Sequence, residues 1–200
     1  MLIAITGGIG CGKSVVSQLL KVMGYTVYDC DSNAKSLMLT DLQLRESLIR
    51  LFGQETYNND GSLNKPHLSS AIFGNPEALQ AMNALIHPAV ARDLLARYNA
   101  QQGNLFFYES AILFESQFNK LAVPDFVISV SAPLELRIER TMARDKSLRQ
   151  QILNRIGSQM PQEEKDLLAD FVIYNDSKQS VIIQTDKIVS IINNKSNINF

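Results

Sequence analysis

A short apolar run, "LIAIT", leads directly into "GGIGCGKS", residues Gly7 to Ser14, and four of those eight residues are glycine. Glycine gives up more conformational freedom on folding than any other residue and packs no side chain. A chain concentrates it where something must approach the backbone closely. The stretch matches G-x-x-x-x-G-K-[ST], with Gly7, Gly12, Lys13 and Ser14 at the fixed positions. In such a loop successive backbone N–H groups turn inward around phosphate oxygens, and the following helix adds its positive end. The lysine reaches the β- and γ-phosphates, and the hydroxyl is a ligand for Mg²⁺. The context fits: "LIAIT" reads as a buried strand, and Lys13 to Met23 carries apolar residues at Val15, Val16, Leu19, Leu20 and Met23, with Gly24 as a stop. "YTVYD" then reads as a second strand. Strand, loop, helix and strand form a βαβ unit, which demands a parallel sheet and an α/β fold.

The remaining chemistry must fit that frame. With 19 Lys plus Arg against 20 Asp plus Glu the chain is nearly neutral, which argues against a general nucleic-acid or membrane-surface binder. Cys11 and Cys30 are the two cysteines, so neither a zinc cluster nor a disulfide framework is indicated. Cys11 reads as a small residue filling a loop slot. No run is apolar for long enough to span a membrane, and the N-terminus reads as a mature strand rather than a signal peptide. The expected compartment is the cytoplasm.

Farther along, Asp31 to Phe52 reads as one helix and Gly53 to Asn64 as a polar loop. "KPHLSSAIF", "NPEALQAMNALI" and "HPAVARDLLARYNAQQ" read as successive helices, each with Pro near its first turn. "NLFFYES", "DFVISVSA" and "DFVIYN" read as strands. "PLELRIERTMARD", "SLRQQILNRIGSQM" and Ser177 to Ile192 read as helices, followed by a frayed polar tail. Phe52, Phe73, Phe106 and Phe107 are expected in the core. The organisation expected is a core of residues 1–59, 105–139 and 166–192, a helical acceptor-binding insertion at 60–104 and a lid at 140–165.

There is no N-K-x-D guanine-reading motif or D-x-x-G switch of a GTPase, and the nearest apolar strand with an acidic end is "LFFYE", at Glu109. Between Arg137 and Arg155 stand six basic and two acidic residues. Arg137, Arg140 and Arg144, three and four apart, share one helix face. Such a segment is either a solvated surface or a lid that brings guanidinium charge to a transferring phosphoryl group. In "YDCDSNAK", Asp29 and Asp31 stand at the carboxyl end of a strand, where open α/β sheets bind ligands. Asp31 is then a helix cap or a carboxylate that takes a proton from an attacking hydroxyl or holds Mg²⁺ through water. A small-metabolite kinase follows, with a nucleotide-binding module lacking turnover as the rival. On residues alone the acceptor could be a nucleoside monophosphate or a sugar acid.

The ordered set "TGGIGCGKS", "VYDCDSNAK", "NALIHP", "AILFES", "RTMARD", "RIGSQMP" and "ADFVIYND" resembles the dephospho-coenzyme A kinase family from Ile3 to about Ile192. The resemblance implies transfer of the ATP γ-phosphoryl group, with Mg²⁺, to the ribose 3′-hydroxyl of dephospho-coenzyme A. It implies an ATP site at Gly8, Ile9, Gly10, Cys11, Gly12, Lys13, Ser14 and Val15 with Arg144 and Asn175. Thr6, Asp31, His87, Arg92 and Leu113 fall to the acceptor. Ser14 falls to the metal, and Lys13, Asp31, Arg140 and Arg144 to catalysis, with Asp31 as the base. Arg155 and Gln159 match the far side of the lid. No oligomeric partner is required. The chain departs from the family pattern at Ala111, Cys30 and Val15, where Pro, Ala and Thr are usual.

Overall fold

The run after Met1 is a strand, β1 (Leu2–Thr6), all five residues of which are buried. The computed structural model describes residues 1–101, 103 and 105–198. The chain divides into two compact units, one of Met1–Asp29 with Tyr98–Phe200 and the other Cys30–Arg97.

In the first unit β1 passes through the glycine loop into α1 (Lys13–Val22), and β2 (Thr26–Asp29) follows. Gly24, at φ +91, ends α1 as expected, letting the Tyr25 N–H reach back to the Leu20 carbonyl at 3.0 Å. The order continues after the second unit with β3 (Phe106–Glu109), a short turn of helix (Phe118–Leu121) and β4 (Phe126–Ser131). All five strands, including β5 (Phe171–Tyr174), pair in parallel in the order β2-β3-β1-β4-β5. The first strand is therefore the central one. Alternation sorts its side chains. Ile3 and Ile5 join Phe107, Ile128, Val130 and Ile173 in a core that also takes in Val16 and Leu20 of α1. Thr6 belongs to the other face, in register with Ser129.

Three helices bear on the site: α7 (Leu134–Asp145), α8 (Arg149–Gly157) and α9 (Gln162–Leu168), with the Phe118–Leu121 turn counted as α6. α9 was not expected. Pro161 before it and Glu163 and Glu164 in its first turn are the signals that mark its start. The last helix, α10 (Val181–Ile198), runs on through most of the segment expected to fray, and the final two residues lie outside the described ones.

The second unit is helical. The expected single helix at 31–52 is two, α2 (Cys30–Thr40) and α3 (Leu42–Phe52). Asp41 separates them: its backbone is extended and its side chain accepts the Leu44 N–H, capping α3. α4 (Lys65–Ile72) follows a polar loop, as read. The next two expected helices are one, α5 (Pro76–Ala100), with Pro88 inside it. Ile86, Ala89, Val90 and Leu94 keep one buried stripe running past the proline, and packing overrides the local break. Phe106 and Phe107 are core residues, but Phe73 is 89% exposed. It stands at the C-cap of α4, beyond that helix's packed side.

Candidate active site

The glycine loop is gripped from outside by the rest of its own unit. Gly7, Gly10 and Gly12 have φ of +143, +79 and +94. A side chain at Gly10 would meet the Arg137 carbonyl and the Thr141 hydroxyl, one at Gly12 the Asn175 amide, and one at Gly8 the Arg137 guanidinium. These glycines serve close approach of protein on one side of the loop as much as of an anion on the other.

Arg137 is the principal departure from expectation. It is 5% exposed, and its Nε donates to the Ile9 carbonyl at 3.0 Å. Arg144, on the same helix, has a side chain 61% exposed. The helix buries Arg137, Ile138 and Thr141 in its middle and leaves both its first turn and its end in solvent. Spacing alone could not show that division. Arg140 takes a third position, donating to the Asn175 carbonyl at 3.0 Å and its Oδ1 at 3.2 Å. Asn175 Nδ2 in turn donates to the Cys11 carbonyl at 2.9 Å. Arg140 thus steadies Asn175, and Asn175 the loop.

Lys13 lies along the loop, its Nζ donating to the Gly7 carbonyl at 3.0 Å and to that of Gly8 at 3.4 Å. Ser14 and Val15 are exposed at the start of α1. Cys11 is fully buried, and its thiol donates to Gln162 Oε1 at 3.1 Å. Burial pushes that thiol's pKa up, against the opposing charges of Arg137 and Lys13, so it remains a protonated packing group. Thr6 is also fully buried, and among the described residues its hydroxyl has no hydrogen-bond partner. A buried polar atom without a partner marks a place where a ligand or water completes the set.

At the carboxyl edge of the sheet, Asp29 and Glu109 are register neighbours on β2 and β3. Glu109 accepts the Ser17 hydroxyl at 2.6 Å. Ser14 stands one turn earlier on α1, and among the described residues no group of three or more His, Cys, Asp or Glu gathers to hold a metal ion.

Beyond Arg144, Asp145 accepts from Arg144 Nε at 2.6 Å and from Arg155 Nη1 at 2.8 Å. The two arginines hold its carboxyl far below the usual carboxylate range. Glu135 and Arg149 add a bidentate pair at 2.7 and 2.8 Å. The segment around Ala111 is held by Lys165, fully buried, whose Nζ donates to the Ala111 carbonyl at 2.7 Å and to Glu115 at 2.6 Å. Glu115 also accepts the Met160 N–H at 3.0 Å. Lys165→Met strands that carboxylate and that carbonyl, and is expected to cost about 3–5 kcal/mol in urea unfolding. A loss below about 1 kcal/mol, the worth of one ordinary hydrogen bond, would show the pair to be dispensable. Leu113 is fully buried.

In the second unit, Asp31 is exposed in the first turn of α2. Asp29 precedes the helix directly, so the capping position falls to Asp29 rather than Asp31. Arg92 donates to Asp41 at 2.7 Å. Asp41 is held low first by the Leu44 N–H and then by Arg92. His87 lies inside α5, not at a helix start, and burial lowers its pKa, so the imidazole is neutral at pH 7.

The family model described as dephospho-CoA kinase matches residues 1–180. Dephospho-CoA kinases of Bacteroides fragilis and Porphyromonas gingivalis are each 40% identical over 96% of this chain and 93% and 95% of their own. A Thermus thermophilus crystal structure superposes with a TM-score of 0.83 at 35% identity, covering 96% of both chains. The dephospho-CoA kinase of Campylobacter jejuni gives 0.67 at 26% identity, over 100% of this chain and 98% of that one. An Acinetobacter baumannii shikimate kinase, 15% identical with a TM-score of 0.56 over 97% and 93% of the two chains, shares the fold.

Proposed function

Since the chain belongs to the dephospho-CoA kinase family, we propose how its own residues divide the work of that reaction. The enzyme phosphorylates the ribose 3′-hydroxyl of dephospho-coenzyme A with ATP, giving coenzyme A and ADP, the last step of coenzyme A synthesis. The observation that carries the assignment of roles is the gripped glycine loop, with Lys13 laid along its carbonyls.

The loop's later amides and Lys13 receive the ATP phosphates. Ser14 would hold Mg²⁺, and Asp29 and Glu109 would hydrogen-bond to its waters. When bound, the metal neutralises charge on the phosphate oxygens. Asp31 accepts the proton of the attacking hydroxyl. Asn175, steadied by Arg140, lies toward the adenine. His87 and Arg92, in a helical insertion at 60–104, serve the acceptor, as do Thr6 and Leu113 from the other unit. Arg144, from a lid at 140–165, adds charge to the transferring group. Positioning and electrostatics supply most of the acceleration in such transfers. The enzyme works in the cytoplasm; no helix among the described residues is long and apolar enough to cross a membrane.

The test is ADP release by purified enzyme with Mg²⁺ and ATP. Release should depend on dephospho-coenzyme A and not on nucleoside monophosphates or sugar acids. Release indifferent to the acceptor would refute the reading. The lid makes its own prediction. Arg144 and Arg155 are held by Asp145 through exposed pairs, which are weak and exchangeable. Hydrogen exchange over residues 140–165 should slow on adding a non-hydrolysable ATP analogue with Mg²⁺. Unchanged exchange at demonstrated saturation would count against closure.

A further inference from the structure

Gln162 has more protein partners than any role given so far requires. It opens α9 and is 6% exposed. Its Oε1 accepts the Gly8 N–H at 2.8 Å and the Cys11 thiol at 3.1 Å. Its Nε2 shares two hydrogens among three acceptors, Asp166 Oδ1 at 2.7 Å, Ser129 Oγ at 3.1 Å and the Val130 carbonyl at 3.3 Å. Both ends of the amide are used, so its orientation is fixed: a flipped amide would set N–H against N–H. Three residues earlier, Gln159 Oε1 accepts the Ile9 N–H at 2.9 Å. Two glutamines, at the return of the arginine-rich segment, thus take two consecutive amides of the glycine loop.

We propose that Gln162, assisted by Gln159, is a positioning residue for phosphoryl transfer. The pair fixes the first half of the loop so that its later amides present one geometry to the nucleotide's phosphates. Neither glutamine need touch the substrate. Gln162 ties Gly8 to Ser129 and Val130 of β4 and to Asp166 of α9. Gln159 lies between α8 and α9, and its bond to Ile9 lets movement of the return segment alter the loop directly. The glycine at position 8 follows from the same arrangement, because the Arg137 guanidinium and Gln162 Oε1 fill the space a side chain would take.

The inference rests on the loop being the ATP phosphate site, and the experiment separates the two. Wild type, Gln162→Met, Gln159→Leu and the double variant are compared for Kd of ATP, Kd of adenosine, KM of dephospho-coenzyme A and Tm. Methionine matches glutamine in length and removes every one of these bonds. The expectation for Gln162→Met is a Kd for ATP raised about tenfold, the equivalent of one or two lost hydrogen bonds. Adenosine binding and KM for dephospho-coenzyme A should stay within about twofold, and the Gly8 and Ile9 amides should exchange faster. The two single effects should not add, because they act on one loop. Equal loss of ATP and adenosine binding, or a lowered Tm with ATP binding intact, would overturn the proposal. If Gln162→Met does not fold, Gln159→Leu decides, since that side chain is only half-buried. If wild type itself fails to bind ATP, the reading of the loop fails first.

Discussion

Lys13→Ala lowers kcat by on the order of 10³-fold while the protein stays folded. Removing one preorganised donor aimed at developing charge costs about 10²–10³-fold, and in the proposed role Lys13 brings a full charge to the phosphates. Its Nζ sits 3.0 Å from the Gly7 carbonyl, so the ammonium is held above the loop rather than in bulk water. The side chain is half-buried and its two backbone acceptors can be met by water. Stability should therefore change little, and urea unfolding serves as the control. A variant with near-normal turnover would remove Lys13 from the chemistry. A variant that fails to fold would show the lysine to be a clasp of the loop instead.

Asp31→Asn lowers kcat by about 10²–10⁴-fold, the usual loss for a general base, with Kd for dephospho-coenzyme A changed less than about tenfold. Asparagine keeps the size and much of the hydrogen bonding but cannot take a proton. Asp29→Asn is expected to be milder in kcat. The two residues differ in station: Asp29 ends β2 beside Glu109, whereas Asp31 is exposed in the first turn of α2. If Asp29→Asn is the more damaging, or if Asp31→Asn changes only Tm, Asp31 is a helix-end residue and the base lies elsewhere.

The parallel sheet and the glycine loop were legible because each leaves a local mark: an apolar run, a fixed spacing, a stop at Gly24. The strands at "FFYE", "FVISVS" and "FVIY" were legible for the same reason. The break at Asp41 was less so, since the apolar pattern runs through it and only the capping bond separates α2 from α3. The continuity of α5 through Pro88 was hidden because a proline normally marks a helix start, and the buried stripe that carries the helix past it is a tertiary fact. Arg137 read as one of three basic residues on a face. Its burial depends on which turn of the helix meets the loop, which spacing does not contain. Gln162 was missed outright: glutamine has no motif of its own, and its partners Gly8, Ser129 and Asp166 are scattered through the chain.

The place of β1 in the middle of the sheet governs the order in which the enzyme can come into being. Leu2 meets its register partner only at Phe106, and Ile3 its other neighbour only at Phe126. At about 5–20 residues per second on the ribosome, the first strand waits on the order of 5–20 s for any neighbour. Meanwhile the helical stretch Cys30–Arg97, a compact unit of its own, emerges complete. The loop's own grips arrive later still, with Arg137, Gln159, Gln162 and finally Asn175. The glycine loop is thus finished after the strand and helix that carry it. A nascent chain stopped short of Asn175 carries the whole nucleotide motif but lacks the Asn175 clasp on the Cys11 carbonyl, and before that its apolar strand β1 is exposed to wrong partners until Phe106 and Phe126 emerge.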